Sequence, residues 1–168
     1  MCIRDSRNVD LTYIVMDNHV YGMTKGQPSP TTEPDWSSKL APGGTGLREF
    51  HPLVIALASG ANFVARAFSG NINETVGIIV DAIRHPGFSF VEVLSPCVTF
   101  RPEQREWKQH VHPAPVAPTD DAARAARRIM TDDGFNIGVL YAGSRKPYAT
   151  FAGKPKSTVA DLEAEFGP

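Results

Sequence analysis

The chain has 168 residues, 42% of them hydrophobic and 21% charged, with a formal net charge of -1. That length supports one domain with a sizeable core, and the charge balance leaves no basic excess for gripping a nucleic-acid backbone. No apolar run reaches the length of a membrane-spanning helix. With only Cys2 and Cys97 present, a disulfide scaffold is excluded.

Met1 to Ser6 lacks the apolar core of a signal peptide, so the expectation is a cytoplasmic domain. These six residues read as a non-native leader ahead of a core strand, and they are expected to pack against nothing. The alternative is a native N-terminal arm. From Asn8 to Asp17 the chain is nearly continuous in β-favouring residues, centred on Val9-Asp10-Leu11-Thr12-Tyr13-Ile14-Val15-Met16. Such a run predicts a strand covered on both faces, as in a parallel sheet.

A long polar stretch follows, punctuated by Gly22, Gly26, Pro28, Pro30, Pro34, Pro42, Gly43, Gly44 and Gly46. A loop of that length inside a compact domain is usually functional. His51 to Ser59 reads as a short buried helix stopped by Gly60. Asn62 to Phe68 is a second strand. Asn71 or Asn73 then caps a helix running to Arg84, with Ile72, Val76, Ile79, Val80 and Ile83 as its apolar face. Phe88 to Leu94 is a third strand. Strand, helix, strand, helix, strand predicts an α/β fold with a mainly parallel sheet.

Beyond Ser95-Pro96-Cys97 the composition changes. Arg101 to His110 is polar, and Pro113, Pro115 and Pro118 form a stiff connector. Thr119 or Asp120 opens a helix to Thr131, Asn136 to Tyr141 is a strand, and Ser157 to Phe166 a last short helix. The predicted organisation is a leader at 1–6, an α/β core at 7–96 and a C-terminal extension at 97–168.

Chemistry concentrates in Asp17-Asn18-His19-Val20-Tyr21-Gly22-Met23-Thr24-Lys25-Gly26-Gln27, at the carboxyl end of the first strand. Open parallel sheets bind ligands at that edge. A hard cation such as Mg²⁺ takes oxygen ligands. Asn18 offers a side-chain oxygen and Val20 a carbonyl two residues on, while Gly22 and Gly26 allow close approach to a phosphate. Spacing alone favours an Asx-turn closing the strand, with the glycines only turning the chain. Lys25 on spacing alone is a loop lysine, and a lone cysteine such as Cys97 is ordinarily a small buried hydrophobe. His110 and His112 alternate, but no carboxylate or cysteine is spaced to complete a metal site, so they read as surface residues. Pro42-Gly43-Gly44-Thr45-Gly46 fits neither the dinucleotide fingerprint nor the P-loop. Arg124, Arg127 and Arg128 read as a solvated helix face.

The string Asp17 to Gln27, followed by Ser29-Pro30-Thr31-Thr32, resembles the second half of the thiamine-diphosphate motif in β subunits of 2-oxoacid:ferredoxin oxidoreductases. The resemblance runs from about Arg7 onward and implies the fold of that cofactor-binding domain. It implies Asn18 and Val20 as Mg²⁺ ligands, with Tyr21, Gly22 and Thr24 beside the cofactor. Met23 falls beside the reactive ring and Lys25 near the anionic 2-oxoacid. Leu94-Ser95-Pro96-Cys97 resembles the place of the last 4Fe–4S ligand, with the other three thiolates upstream. The Gly-Asp-Gly half of the metal motif is absent from this chain. Implied with the resemblance are an α subunit, ferredoxin, CoA and a 2-oxoacid, with Gly22-Met23-Thr24-Lys25 favouring 2-oxoglutarate or a broad 2-oxoacid range. Two rivals stand beside it: a non-catalytic α/β binding module, supported by the missing half-motif, and a thiamine enzyme without iron–sulfur, opposed by Cys97 after Ser-Pro.

Overall fold

A computed structural model describes residues 6–148. The predicted helix at 157–166 and all but the last residue of the proposed leader lie outside the described residues. The elements are β1 (Leu11–Asp17), β2 (Val20–Tyr21), a 3₁₀ turn (Gly22–Thr24), β3 (Gln27–Pro28), α1 (Pro52–Ala58), β4 (Phe63–Phe68), α2 (Ile72–Arg84) and β5 (Phe88–Leu94). They continue with a second 3₁₀ turn (Pro102–Glu106), α3 (Trp107–His110), β6 (His112–Pro113), α4 (Ala122–Thr131) and β7 (Asn136–Ala142).

Five strands form one sheet in the order β1-β5-β4-β7-β6, and β2 and β3 form a separate two-stranded ribbon. β1, β5 and β4 run parallel, with Leu11 opposite Phe88 and Phe63 opposite Ser89. β7 is antiparallel to β4, with a register shift at Val64 and Ala65, and β6 is parallel to β7. The expected α/β architecture with a mostly parallel sheet is therefore present.

β4 and β5 are buried at every position, which is why both read as unbroken apolar runs. Odd-numbered residues of the two strands, including Phe63, Ala65, Val91 and Val93, pack beneath α2 with Ile78, Ala82 and Trp107. The other face sets Val64, Phe88 and Phe90 against Leu53 and Leu57 of α1 and Ala125 and Ile129 of α4. Burying each large apolar side chain is worth ~1.5–3 kcal/mol, so these two layers are the main source of stability.

Three expectations need correction. The first strand is not covered on both faces: β1 is the sheet edge, and Tyr13, Ile14 and Met16 are 37%, 43% and 68% exposed. It also begins later than predicted, because Asn8 sits at φ 54° and uses its side chain as a clasp. Asn8 Nδ2 donates to the carbonyls of Arg145 and Lys146, while Oδ1 accepts from the Phe88 amide. On α2 the predicted apolar face points outward. Ile72, Val76 and Ile83 are exposed, whereas Ile78 and Ala82 meet the sheet. Third, α4 starts at Ala122, because the Asp121 side chain accepts from the amides of Ala123 and Arg124 and so takes the N-cap. Asn71 caps α2 as predicted.

Candidate functional site

β1 ends at the buried Asp17, and the chain turns there under tight side-chain control. Asp17 Oδ1 accepts from the His19 amide at 2.9 Å and from the Thr31 hydroxyl at 2.7 Å. Its Oδ2 has no hydrogen-bond partner. Asn18 Oδ1 accepts from the Val20 amide at 3.1 Å, so the Asx-turn read from spacing is present. His19 lies at φ 53° between them. Val20 is buried, and its cross-strand partner Pro28 has no N–H to offer the Val20 carbonyl.

The 3₁₀ turn Gly22–Thr24 is closed by Lys25 N–H donating to the Gly22 carbonyl and Gly26 N–H to that of Tyr21. Lys25 and Gly26 take φ of 77° and 87° in succession. A side chain at Gly26 would stand 2.7 Å from the Phe100 ring, so both backbone angle and space call for glycine. Thr24 bonds Gln27 through its hydroxyl. Tyr21 is 52% exposed and Met23 fully exposed, and Thr24 and Lys25 also lie on the surface.

Cys97 belongs to the next turn along the same edge, after β5. A Cβ on Gly22 would lie 3.1 Å from Cys97 Sγ, so the thiol rests on that glycine. The fold thus joins Asn18, Val20 and Gly22 to a cysteine distant in sequence. Asn18 and Val20 supply two neutral oxygens of the kind a hard cation takes, which fits part of an Mg²⁺ ligand set. Among the described residues no group of three or more His, Cys, Asp or Glu could hold a metal.

Residues that the sequence did not single out hold these turns. Arg101 is buried and donates to Glu33 at 2.7 Å, to Glu103 at 2.9 Å and to the His19 carbonyl at 3.3 Å. Its guanidinium lies 4.7 Å from the Trp36 ring centre. His19 bonds Glu33 at 3.0 Å and meets Trp107 edge-on. Burial pulls the His19 pKa down, but the Glu33 hydrogen bond and the Asp17 and Glu33 charges outweigh it, and the imidazole is raised. Burial pushes Glu33 up, yet its bonds to His19 and Arg101 bring it down to about 2.

Behind the turn, on the α1 and α4 side of the sheet, a cavity of about 490 Å³ opens between Asp17, His19, Arg48, Arg66, Glu92 and Asp132. On its wall Arg66 Nε donates to Glu92 at 2.7 Å and Nη1 to Asp132 at 3.3 Å. Desolvation lowers the Arg66 pKa, but the two carboxylates more than reverse that. None of Asn18, Val20 to Lys25 or Cys97 lines this cavity. His112 forms an exposed pair with Asp133 at 2.9 Å. No helix among the described residues is long and apolar enough to cross a membrane.

Residues 5–93 match the family model of the thiamine pyrophosphate enzyme C-terminal TPP-binding domain, and the chain belongs to that family. Its relatives within the family are named as oxidoreductase subunits. It is 43% identical over 94 residues to the 2-oxoacid:ferredoxin oxidoreductase subunit beta of Saccharolobus solfataricus, covering 56% of this chain and 31% of that one. Over 174 residues it is 32% identical to the corresponding subunit 1 beta of Aeropyrum pernix, covering 96% and 52%. A 42% identity over 93 residues links it to the 2-oxoglutarate synthase subunit KorB of Archaeoglobus fulgidus, covering 55% and 35%. Among solved structures, the 2-oxoglutarate:ferredoxin oxidoreductase of Magnetococcus marinus, with 2-oxoglutarate, coenzyme A and succinyl-CoA bound, matches with a TM-score of 0.78 and 32% identity. That match covers 88% of this chain and 52% of the other. The chain spans about half the length, or less, of the relatives it matches. The resemblance read from Asp17 to Gln27 is borne out.

Proposed function

We propose that the chain forms part of the thiamine-diphosphate-binding β subunit of a 2-oxoacid:ferredoxin oxidoreductase acting on 2-oxoglutarate, with CoA as acyl acceptor and ferredoxin as electron acceptor. The observation that carries this is Cys97 resting on Gly22: the fold joins the turn that matches the cofactor motif to the cysteine that matches the cluster motif. The KorB relatives and the Magnetococcus enzyme favour 2-oxoglutarate.

In this reading Asn18 and Val20 contribute two oxygens to Mg²⁺, and Tyr21, Gly22 and Thr24 flank the cofactor. Thiamine diphosphate, when bound, would supply a nucleophilic carbon and an electron sink for decarboxylation of a 2-oxoacid. Met23 would lie beside the reactive ring. Lys25 meets the anionic oxoacid or a CoA phosphate as a compact point charge. Cys97 is one thiolate ligand of a 4Fe–4S cluster, a group that takes four. The exposure of Tyr21, Met23 and Lys25 suits a surface completed by an α subunit. A cytoplasmic location agrees with this chemistry.

The test is reconstitution of the complete β subunit with its α partner, followed by 2-oxoglutarate- and CoA-dependent ferredoxin reduction. Asn18→Ala should weaken Mg²⁺-dependent thiamine-diphosphate binding in calorimetry. Unchanged affinity would remove Asn18 from the ligand set, and an assembly inactive with every 2-oxoacid would overturn the reading.

A further inference from the structure

Gln104 is 1% exposed, and its amide nitrogen and oxygen each bond a backbone group, from two different turns. Its Nε2 donates to the Asn18 carbonyl at 2.8 Å, and its Oε1 accepts from the Cys97 amide at 2.7 Å. The orientation of the amide is forced, because a carbonyl only accepts and an N–H only donates. One side chain therefore spans from the turn after β1 to the turn after β5. Arg101, one 3₁₀ turn earlier, makes a parallel link: its amide donates to the Cys97 carbonyl at 2.9 Å, and its guanidinium reaches the His19 carbonyl. Gly22 against Cys97 Sγ is the third point of contact.

We propose that Gln104 is a positioning residue, a strut that fixes the Cys97 turn against the Asn18–Val20 turn at one separation. The inference rests on the functional reading above, in which one turn holds the Mg²⁺ of thiamine diphosphate and the other a cluster thiolate. Gln104 touches neither group. It acts through the backbone on either side, which is why nothing in the motif points to it. Arg101 and the Gly22–Cys97 contact also brace the two turns, but Gln104 bonds the backbone of both through one buried side chain. A buried amide with both ends used cannot follow one turn without pulling the other, and losing either bond strands a buried polar group.

Two variants separate the two ends. Gln104→Met keeps the length and loses both bonds. Gln104→Glu, compared at a pH high enough to ionise it, keeps an acceptor for the Cys97 amide and loses the donor to Asn18. In the 168-residue chain, amide hydrogen exchange at Cys97 should quicken by about tenfold in Gln104→Met and stay as wild type in Gln104→Glu. In the β subunit assembled with its α partner, thiamine-diphosphate affinity with Mg²⁺ should fall by about tenfold in both variants. The EPR spectrum of the reduced cluster should change only in Gln104→Met. Wild-type exchange and affinity in Gln104→Met would overturn the proposal. So would equal exchange at Cys97 in the two variants, since that would mean general loosening. If far-UV circular dichroism shows Gln104→Met unfolded, the split between the two ends in Gln104→Glu decides alone. A wild-type assembly that binds no cofactor would fail the functional reading, and the Cys97 exchange would still judge the strut.

Discussion

Removing the charge of Glu92 while keeping its shape, as Glu92→Gln does, should cost this domain a large part of its stability. Arg66 and Glu92 face each other in register on the two central strands, with side chains only 8% and 5% exposed. Asp132, 11% exposed, is the second anion at the guanidinium. Breaking a buried pair from one side leaves the other charge uncompensated, at a cost of ~3–5 kcal/mol. Asp132 remains, but at 3.3 Å it is the longer contact, so the lower part of that range is expected. A domain of this size loses about 2–4 °C of melting temperature per kcal/mol, which makes the expected drop ~6–12 °C for a loss of ~3 kcal/mol. A thermal scan by far-UV circular dichroism measures the drop, and a urea titration the free-energy loss. The companion is the triple variant Arg66→Met, Glu92→Leu, Asp132→Asn, which removes the charges together. Because desolvation of the ions goes with them, it should lie within about 2 kcal/mol of wild type, or above it. A Glu92→Gln protein within ~0.5 kcal/mol of wild type, the range of an ordinary surface substitution, would refute the reasoning. A triple variant as damaged as the single one would do the same.

Lys25→Ala should raise KM for 2-oxoglutarate or CoA in the assembled enzyme and leave the melting temperature unchanged, since alanine at φ 77° bears the same backbone cost as lysine; steady-state kinetics like wild type with both substrates would make it a loop lysine. Glu33 has a pKa lowered from 4.5 to about 2, so its stabilisation is complete above 4.5 and is lost as pH falls through about 2. With its side chain 37% exposed, that contribution is discounted to ~1 kcal/mol, and Glu33→Gln should flatten the acid limb of the stability curve by that amount; identical limbs would count against the His19–Glu33–Arg101 cluster. Gly87→Ala places a methyl 2.3 Å from Asn8 Oδ1 at a backbone φ of 97°, and should cost ~2–4 kcal/mol in denaturant unfolding through strain and the broken clasp; a loss under ~0.5 kcal/mol would show that Asn8 moves aside freely.

The central strands were legible because a doubly covered strand is apolar at nearly every position, and Phe88 to Leu94 begins and ends where that pattern does. The same rule misled at β1, whose Ile14 and Met16 are as apolar as core residues yet lie at an exposed edge. Periodicity could not choose between the two apolar stripes of α2. The richer one, through Ile72, Val76 and Ile83, faces outward, and the small Ala82 faces the sheet, where Thr12 donates to its carbonyl. At the site, Asn18 and Gly22 were legible because they form one contiguous string. Gln104 and Arg101 were not, since they act across long sequence separation from a stretch whose polarity resembled a solvated loop. The Asn8 clasp was hidden for a related reason: a side chain that bonds backbone leaves no hydrophobic pattern.

The strand pairing also decides when this sheet can close. Leu11 is matched to Phe88, and Val64 to Tyr141, so neither outer neighbour of the central pair is local. Contacts so distant along the chain must meet the full loop-closure entropy before they return any energy, and such topologies fold slowly. During synthesis β4 leaves the ribosome well before β7 exists, with the backbone edge that β7 will cover unpaired in the interval. Until then, that edge is open to any other extended segment that can pair with it.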